Sequence, residues 1–436
     1  MDSQIIAVLI VGGLLVLLTS GLWIFASMLA VSIIGLHVLM DYSFLRIGVM
    51  MQAVQWRSLT SFELAALPMF VWMGEILFRT RISEQIFRGM APWVTRLPGR
   101  LLHVVVLACG VFGSVCGSSA ATCATISKIA LPELKRRGYD EGLTIGSLCA
   151  GGTLGILIPP SIIMVLYAVA AEVSLIKLFI AGFLPGFLMM ALFSSYIIGW
   201  TLLNPDKSPV ETGALPLRER LALLVDLAPT IVLLIFVFGA LFAGWITATE
   251  CAAWGVLGSI LIALQSRTFT LSAFWESMRA TVRTSCMIMI LVAAASFLSS
   301  FMALAGIPKA VASTVASMEL GPFALVSMLI VIYMLLGIFL EGVSMILLTL
   351  PVVLPMVTGA GFDPIWFGIF LIIVIEMAEL SPPVGFNLFV LQNLTGHDVF
   401  TIGWMSLPFF LMMVATVLVI TVWPDVVMVL PNLYSK

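Results

Sequence analysis

The sequence predicts an all-α polytopic membrane protein that contains two inverted repeats of one unit. Three observations predict it: the composition, an internal repeat, and helix breaks at equivalent places in that repeat. Of the 436 residues, 61% are hydrophobic and only 10% are charged, with a mean hydropathy of +1.19. Whole stretches of about 20 residues lack charge, which is enough for a helix to cross a bilayer. A soluble protein could not bury this much apolar surface, so the chain is expected to lie in a lipid bilayer.

The internal repeat has a spacing of 223 residues. A shift of that size carries Pro159-Pro160 onto Pro382-Pro383, and it also superposes single residues of types that rarely match by chance. These pairs are Pro132 with Pro355, Gly138 with Gly361, Asp140 with Asp363, Pro185 with Pro408 and Trp200 with Trp423. The chain therefore contains two copies of one unit, at about 60–203 and 283–426.

The helix breaks are predicted by the two Pro-Pro pairs, which lie inside apolar runs. The first run reads GGTLGILIPPS over 151–161, and the second reads ELSPPVGFN over 379–387. Proline has no N–H to donate and its ring clashes with the preceding turn, so a helix is expected to break there. A lone proline in a membrane helix is usually only a kink. Two pairs at equivalent positions favour a functional break, because irregular backbone at this depth is tolerated only in buried or cavity-lining places.

Each copy is expected to contain the same parts in the same order. These are a first span (58–78; 281–305), a short amphipathic segment (82–95; 308–318), a re-entrant hairpin with its tip at GSVCGSSAAT (113–122) or GIFLEGVSMI (337–346), the broken span (141–172; 364–395) and a closing span (176–203; 400–423). Further plain spans are expected at 5–19, 21–40, 219–242 and 248–265. The predicted division is N-terminal scaffold helices 1–57, repeat one 58–203, linker and scaffold helices 204–280, and repeat two 281–436.

Basic residues indicate how the spans are oriented. With the N-terminus outside, 15 of the 20 Lys and Arg residues fall in segments inside the cell and five fall outside, as the positive-inside rule requires. Both termini are then expected outside. Three crossings per copy and an even linker place the second copy in the opposite orientation, so the repeats should be inverted, with one hairpin entering from each face.

Inverted repeats with discontinuous helices are the way in which secondary transporters form a site near mid-membrane. Unwinding between Gly151 and Pro160 frees carbonyl groups that can coordinate a dehydrated cation, and the half-helix that follows presents N–H groups to an anion. On the first tip, Ser118, Ser119 and Thr122 add hydroxyl groups. Such hard oxygen ligands suit a hard cation.

The second copy carries carboxylates within its membrane segments, with Glu341 on the tip and Glu376 and Glu379 before the break. Intramembrane carboxylates are costly and indicate function, although a structural bond within the bundle is the alternative. Glu376 and Glu379 share a helix face. Their charges repel, so a cation, a proton, or the adjacent Ser381 and Asn387 should neutralise them.

A resemblance to a known family rests on the segments GSSAATCATISKIALPELKRRGYD (117–140), AGGTLGILIPPSIIMVLYAVAAEVSLIKLFIAGFLPG (150–186) and SPPVGFNLFVLQ (381–392). These segments resemble the large membrane subunit of TRAP transporters, the DctM-like permease family, and the similarity covers nearly the whole chain. It implies a sodium-driven importer of an organic acid anion (a C4-dicarboxylate, sialic acid or another carboxylate) in the bacterial inner membrane, with an elevator mechanism and no enzymatic activity.

The resemblance also implies partners and site residues. The partners are a separate small four-helix membrane subunit and a periplasmic substrate-binding protein, with no nucleic acid and no cofactor other than sodium as coupling ion. The implied cation-binding residues are Ser118, Ser119, Thr122, Gly152, Thr153, Gly155, Glu341, Gly342, Glu376 and Ser381. The implied substrate-binding residues are Ser161, Glu379 and Asn387. One position departs from the family pattern, because Ala378 stands where glycine is usual.

Two other functions are compatible with parts of this pattern. A self-sufficient carrier of the divalent-anion/sodium symporter type has the same two hairpins but no binding protein, and it is the alternative to a tripartite transporter. An intramembrane hydrolase is disfavoured, because the sequence has no HExxH zinc signature and no Ser-His constellation within one bundle. Cys109, Cys116 and Cys123 fall seven apart, but no His or carboxylate lies between them, which favours packing over metal binding.

Overall fold

The computed structural model describes residues 3–207, 216–225, 227–267, 269–318 and 321–434. Within these ranges every regular element is a helix, in agreement with the predicted fold class. Five helices are long and apolar enough to cross a membrane, and two bent helix pairs meet the same criteria. The described part of the chain is thus an all-helical protein with several potential membrane spans.

The described residues of the N-terminal part form five α-helices: α1 (Ser3–Thr19), α2 (Ile24–Val38), α3 (Phe44–Leu59), α4 (Ala66–Phe78) and α5 (Ile82–Met90). Helix α3 is not predicted from the sequence. It is mostly exposed, buries only Ile47, and lies at 58° to the helical segment that follows it. Arg46 and Arg57 interrupt its apolar residues, so it lacks the continuous apolar run by which a span is recognised.

The first repeat continues with α6 (Leu101–Cys116), α7 (Ser119–Arg136), α8 (Glu141–Leu157), α9 (Ile162–Ala170) and α10 (Leu175–Leu203). The turn between α6 and α7 is the predicted hairpin tip, where Gly117 adopts a left-handed conformation with φ of 65° that suits glycine. Helices α8 and α9 are separated at Pro159-Pro160 and lie at 45° to each other. The predicted break is therefore present.

The segment between the repeats forms α11 (Leu217–Val225), α12 (Ala228–Phe242) and α13 (Ala248–Gln265), and α14 (Leu271–Leu304) opens the second repeat. Helix α14 begins ten residues before the predicted span at 281. Thr270 caps it by accepting a hydrogen bond from the N–H of Ala273 at 3.1 Å. The extra turns carry Glu276 and Arg279, so they extend the helix beyond its apolar part.

The second repeat continues with α15 (Ile307–Ser317), α16 (Pro322–Leu336), α17 (Gly342–Gly359), α18 (Pro364–Glu379), α19 (Phe386–Thr395) and α20 (Val399–Val422), and an additional helix, α21 (Asp425–Tyr434), follows. Its boundaries repeat those of the first copy. Helices α7 and α17 begin at Ser119 and Gly342, and α8 and α18 begin at Glu141 and Pro364, each pair 223 positions apart. The sequence repeat is thus a repeat of helix boundaries.

The broken helices of the two repeats contact each other end to end. His397, which follows α19, places Nε2 at 3.2 Å from Oε1 of Glu141, the first residue of α8. The hydroxyl of Tyr167 in α9 donates to the carbonyl oxygen of Pro364, the first residue of α18, at 2.5 Å. The start of each broken helix therefore lies beside the end of the other. Both helices are enclosed, since residues 143–157 and 366–378 are buried without interruption.

Candidate functional site

The first hairpin tip carries three hydroxyl groups, one of which contacts the second repeat. Ser118 caps α7 by accepting from the N–H of Ala121 at 3.4 Å, and Thr122 donates to the carbonyl oxygen of Ser118 at 2.8 Å. The hydroxyl of Ser119 instead donates to Oε2 of Glu379 at 2.5 Å. A residue of the first tip thus binds a carboxylate of the second break.

Glycines allow the helices to approach closely around the first break. A methyl group on Gly155 would lie 2.2 Å from the Cα atom of Gly113, so α6 and α8 are in backbone contact there. A methyl group on Gly152 would lie 3.0 Å from the carbonyl oxygen of Ser119 and 3.3 Å from Nδ2 of Asn387. Gly152 therefore lies where α8 meets both the first tip and the start of α19.

Two other predicted residues of the first break use their hydroxyl groups locally. Thr153 donates to the carbonyl oxygen of Ala150 at 2.7 Å, and Ser161 accepts from the N–H of Met164 at 3.3 Å as the cap of α9. Both side chains are buried. In this arrangement they stabilise the two helix ends at the break.

The carboxylates of the second repeat differ in their surroundings. Glu376 is fully buried, and neither of its carboxylate oxygens has a hydrogen-bond partner among the described residues. Glu379 is bound by Ser119. Glu341 caps the start of α17 without a side-chain capping bond and is half-buried. A buried, unpaired carboxylate is strongly unfavourable as an ion, so the surroundings of Glu376 call for a cation or a proton.

The second tip reaches the same place. A methyl group on Gly342 would lie 3.3 Å from Cδ1 of Ile163 in α9 and 3.9 Å from Oε1 of Glu379. The first tip contacts α9 too, since a methyl group on Gly117 would lie 3.1 Å from Cγ1 of Ile162. Both tips and both breaks therefore converge around Glu379.

Ser381 and Asn387 were one of the alternatives for neutralising a carboxylate, and in the structure both side chains donate to backbone carbonyl oxygens. Ser381 donates to the carbonyl oxygen of Ala378 at 3.0 Å, and Nδ2 of Asn387 donates to the carbonyl oxygen of Cys149 at 3.3 Å. The hydroxyl partner of Glu379 comes from the other repeat. Proximity in sequence to the break did not reveal it, because Ser119 and Glu379 are 260 residues apart. Oδ1 of Asn387 has no partner among the described residues.

Two further buried hydroxyl groups lie in the second repeat and were not predicted from the sequence. Ser344 in α17 and Ser406 in α20 are fully buried, and neither hydroxyl has a hydrogen-bond partner in the described part of the chain. The signal in the sequence is a single serine within an apolar span. That signal is weak, because many such serines bond their own helix backbone.

A cavity of about 640 Å³ reaches the second tip and the second break. Glu341 and Ser344 line it from α17, and Val384 and Phe386 line it from the break. Its opposite wall is formed by α14 and by the start of α2, with Trp23 among the lining residues. The tip carboxylate of Glu341 is thus accessible from a space between the second repeat and the N-terminal helices.

Comparison with known families decides what kind of protein contains this site. Residues 11–426 match the family described as "Tripartite ATP-independent periplasmic transporter, DctM component". The chain belongs to the DctM family. The resemblance drawn from the sequence is confirmed, and the chain is the large permease component of a TRAP transporter.

Two DctM relatives illustrate the extent of the match. The C4-dicarboxylate TRAP transporter large permease protein of Pseudomonas aeruginosa is 32% identical, over 85% of this chain and 86% of its own length. The protein of the same name from Rhodobacter capsulatus is 30% identical, over 85% and 87%. The crystal structure of the Alcanivorax borkumensis YdaH transporter is similar in fold, with a TM-score of 0.62 at 13% identity, over 85% of this chain and 87% of that one.

Proposed function

We propose that this DctM chain carries an organic acid anion inward together with sodium ions, as the large permease of a tripartite transporter. One observation carries the proposal. The two tips and two breaks converge on Glu379, beside a fully buried Glu376 whose oxygens have no partner among the described residues. A cation at this place would neutralise Glu376, and its binding would require both repeats to be assembled.

The available ligands suit sodium. The carboxylate oxygens of Glu376 and Oδ1 of Asn387 are buried and have no hydrogen-bond partner in the described chain, so they are available as cation ligands. The hydroxyl of Ser119 lies within hydrogen-bond distance of Glu379. Hard cations prefer carboxylate, carbonyl and hydroxyl oxygens. We assign Glu376 to cation binding. The remaining predicted ligands on the two tips and breaks, which are Ser118, Thr122, Gly152, Thr153, Gly155, Glu341, Gly342 and Ser381, would complete the sites when the tips rearrange.

The substrate is proposed to bind beside the tips. Glu379 is the proposed member of the pair that contacts it, together with Ser161 and Asn387. Ser161 and Asn387 are fully buried, so a substrate could reach them only after a tip moves. A C4-dicarboxylate, sialic acid or another carboxylate remains the proposed class.

An inverted arrangement of the repeats is supported by the end-to-end contacts. Glu141 at the start of the first broken helix contacts His397 after the second, and Tyr167 near the end of the first contacts Pro364 at the start of the second. Antiparallel broken helices would produce this pattern. In the proposed elevator mechanism, hairpins and broken helices move as one body against α1–α4 and α14.

The proposed partners are a small four-helix membrane subunit and a periplasmic substrate-binding protein, and the proposed location is the bacterial inner membrane. The test is uptake of radioactive succinate or sialic acid into proteoliposomes that contain the permease and its small subunit, with the binding protein added outside. Accumulation should require an inward sodium gradient and the binding protein. Equal uptake with potassium in place of sodium under a proton gradient alone would refute sodium coupling, and uptake without the binding protein would favour the self-sufficient carrier.

A further inference from the structure

A second cavity, of about 590 Å³, is lined by residues of α3, the end of α9 and the α9–α10 loop, α14 and α17. Its lining is unusually rich in hydroxyl groups for a protein that is 61% hydrophobic. Six serines contribute to it: Ser58, Ser61, Ser174, Ser296, Ser299 and Ser300. We call this space the serine cavity.

Several of these hydroxyl groups are already arranged in the cavity wall. Ser58 and Ser296 are hydrogen-bonded to each other at 2.8 Å, which links α3 to α14, and Ser300 donates to the carbonyl oxygen of Ser296 at 3.0 Å. Ser61 also lines the cavity, but its hydroxyl is buried within the wall and has no partner among the described residues, so the accessible serines are the others. A serine hydroxyl can both donate and accept, so this wall is suited to a ligand that itself carries several hydroxyl groups.

Arg57 is the basic residue of the lining, which also contains the carboxylates of Glu63 and Glu172. Its guanidinium group lies 3.9 Å from the carboxylate of Glu172, and the two side chains are 87% and 84% exposed. An exposed ion pair of this kind contributes little to stability. A ligand carboxylate could therefore replace Glu172 as the partner of Arg57 at small cost, and guanidinium groups bind carboxylates well.

The floor of the serine cavity lies close to the transport site. Leu166 and Leu347 line the cavity. Leu166 is one helical turn after Ile163, and Leu347 is five residues after Gly342. A methyl group on Gly342 would lie 3.3 Å from Cδ1 of Ile163 and 3.9 Å from Oε1 of Glu379. The cavity is thus separated from the converging tips by about one turn of helix.

We propose that the serine cavity is a separate binding site for a hydroxylated carboxylate, in which Arg57 binds the carboxylate and the serines bind the hydroxyl groups. The proposal rests on the proposed function, because it assigns a holding site for the transported class of anion. In the predicted orientation Arg57 and Glu172 lie outside, so the ligand would occupy this site before it reaches the tips.

The test is a protection experiment that needs no transport. A Ser299→Cys variant is made in a Cys286→Ala background, because Cys286 is the exposed natural cysteine in the described chain. The permease with its small subunit is placed in lipid nanodiscs, and the rate of maleimide labelling is measured with D-gluconate, adipate or D-sorbitol. D-gluconate should slow labelling, and the other two should do so only at much higher concentrations. No protection by D-gluconate, or equal protection by adipate or D-sorbitol, would overturn the proposal.

Two charge variants separate ligand binding from a purely structural role. Arg57→Gln should raise the D-gluconate concentration for half-protection about tenfold, as expected for the loss of one charge-assisted contact. Glu172→Gln should leave it unchanged or lower it, because a competing carboxylate is removed. Equal weakening by both variants would show that only the ion pair matters and would refute the assignment. Arg46→Gln is the matched control, since Arg46 also lies on α3 but packs over the ring of Tyr42 at 3.7 Å.

A failure of the proposed function would be distinguishable. If sodium-driven uptake is absent but D-gluconate protects Ser299→Cys, the cavity binds a hydroxylated carboxylate that is not transported in this way. If uptake is sodium-driven but protection is absent, the serine cavity is not a holding site and the transport proposal stands.

Discussion

Replacing Glu376 by glutamine tests whether the buried carboxylate binds the coupling ion. The side chain is fully buried in α18, and neither carboxylate oxygen has a hydrogen-bond partner among the described residues. Glutamine has the same shape but no charge. Because the substitution breaks no hydrogen bond to a residue that the structure describes, the main change should be the loss of a negatively charged ligand.

The expected magnitude follows from the loss of one charged contact. A hydrogen bond or contact to a charged group contributes about 1.5–3 kcal/mol, and each 1.4 kcal/mol corresponds to about a tenfold change in affinity. Glu376→Gln should therefore weaken sodium binding about tenfold to a hundredfold. At a sodium concentration of about 100 times the wild-type dissociation constant, the wild type gains about 2.7 kcal/mol of stability and a tenfold weaker variant gains about 1.4 kcal/mol.

The assay is thermal unfolding of the purified permease with its small subunit, titrated with sodium chloride at constant ionic strength maintained by potassium chloride. Without sodium, the two proteins should unfold at similar temperatures. With sodium, the wild type should gain more. Glu84→Gln, which removes a surface partner of Arg88 at 2.7 Å in α5, should titrate like the wild type. The reasoning is refuted if Glu376→Gln has the wild-type sodium midpoint.

Three further predictions concern packing, the break and the topology. Gly155→Ala should lower the free energy of unfolding by about 1–3 kcal/mol, a typical cost of overpacking, because its methyl group would meet the backbone of Gly113. The control Gly199→Ala has nothing within 4 Å of the added methyl group, so thermal unfolding should show it to be neutral or stabilising. Equal loss of stability in the two variants would contradict the packing argument. Replacing both Pro159 and Pro160 by alanine should leave membrane insertion normal but abolish most uptake, because alanine supplies the missing N–H donors and removes the ring clash that keeps the helix open. Wild-type uptake would mean that the break is incidental. Because the C-terminus is predicted to lie outside, a C-terminal alkaline phosphatase fusion should be active and a C-terminal fluorescent-protein fusion should be dark. The reverse result would mean that one membrane span was counted wrongly, and the segment 82–95 would be the one to re-examine.

The parts of the fold that the sequence predicts are those with strong local causes. Proline pairs interrupt helices whatever surrounds them, so both breaks could be located from Pro159-Pro160 and Pro382-Pro383. The repeat spacing then predicted the second hairpin tip, and α17 begins at Gly342 accordingly. Helix α3 has no such local cause, because its apolar residues are interrupted by Arg46 and Arg57.

The site is predicted less completely, because its contacts join the two repeats. Ser119 and Glu379 are 260 residues apart, and nothing local to either residue indicates their hydrogen bond. The residue types on the tips and breaks were sufficient to predict Ser119 and Glu379 as site residues. The pairing itself depends on how α7 packs near the end of α18.

The most direct test of the central claim is simultaneous measurement of radioactive sodium and radioactive carboxylate entering the same proteoliposomes. Sodium and the carboxylate should accumulate together in a fixed ratio. Glu376→Gln should reduce both fluxes at low sodium concentration, and high sodium concentration should restore them. Carboxylate entry that proceeds without accompanying sodium would contradict the claim that the site formed by the two tips and two breaks couples the two movements.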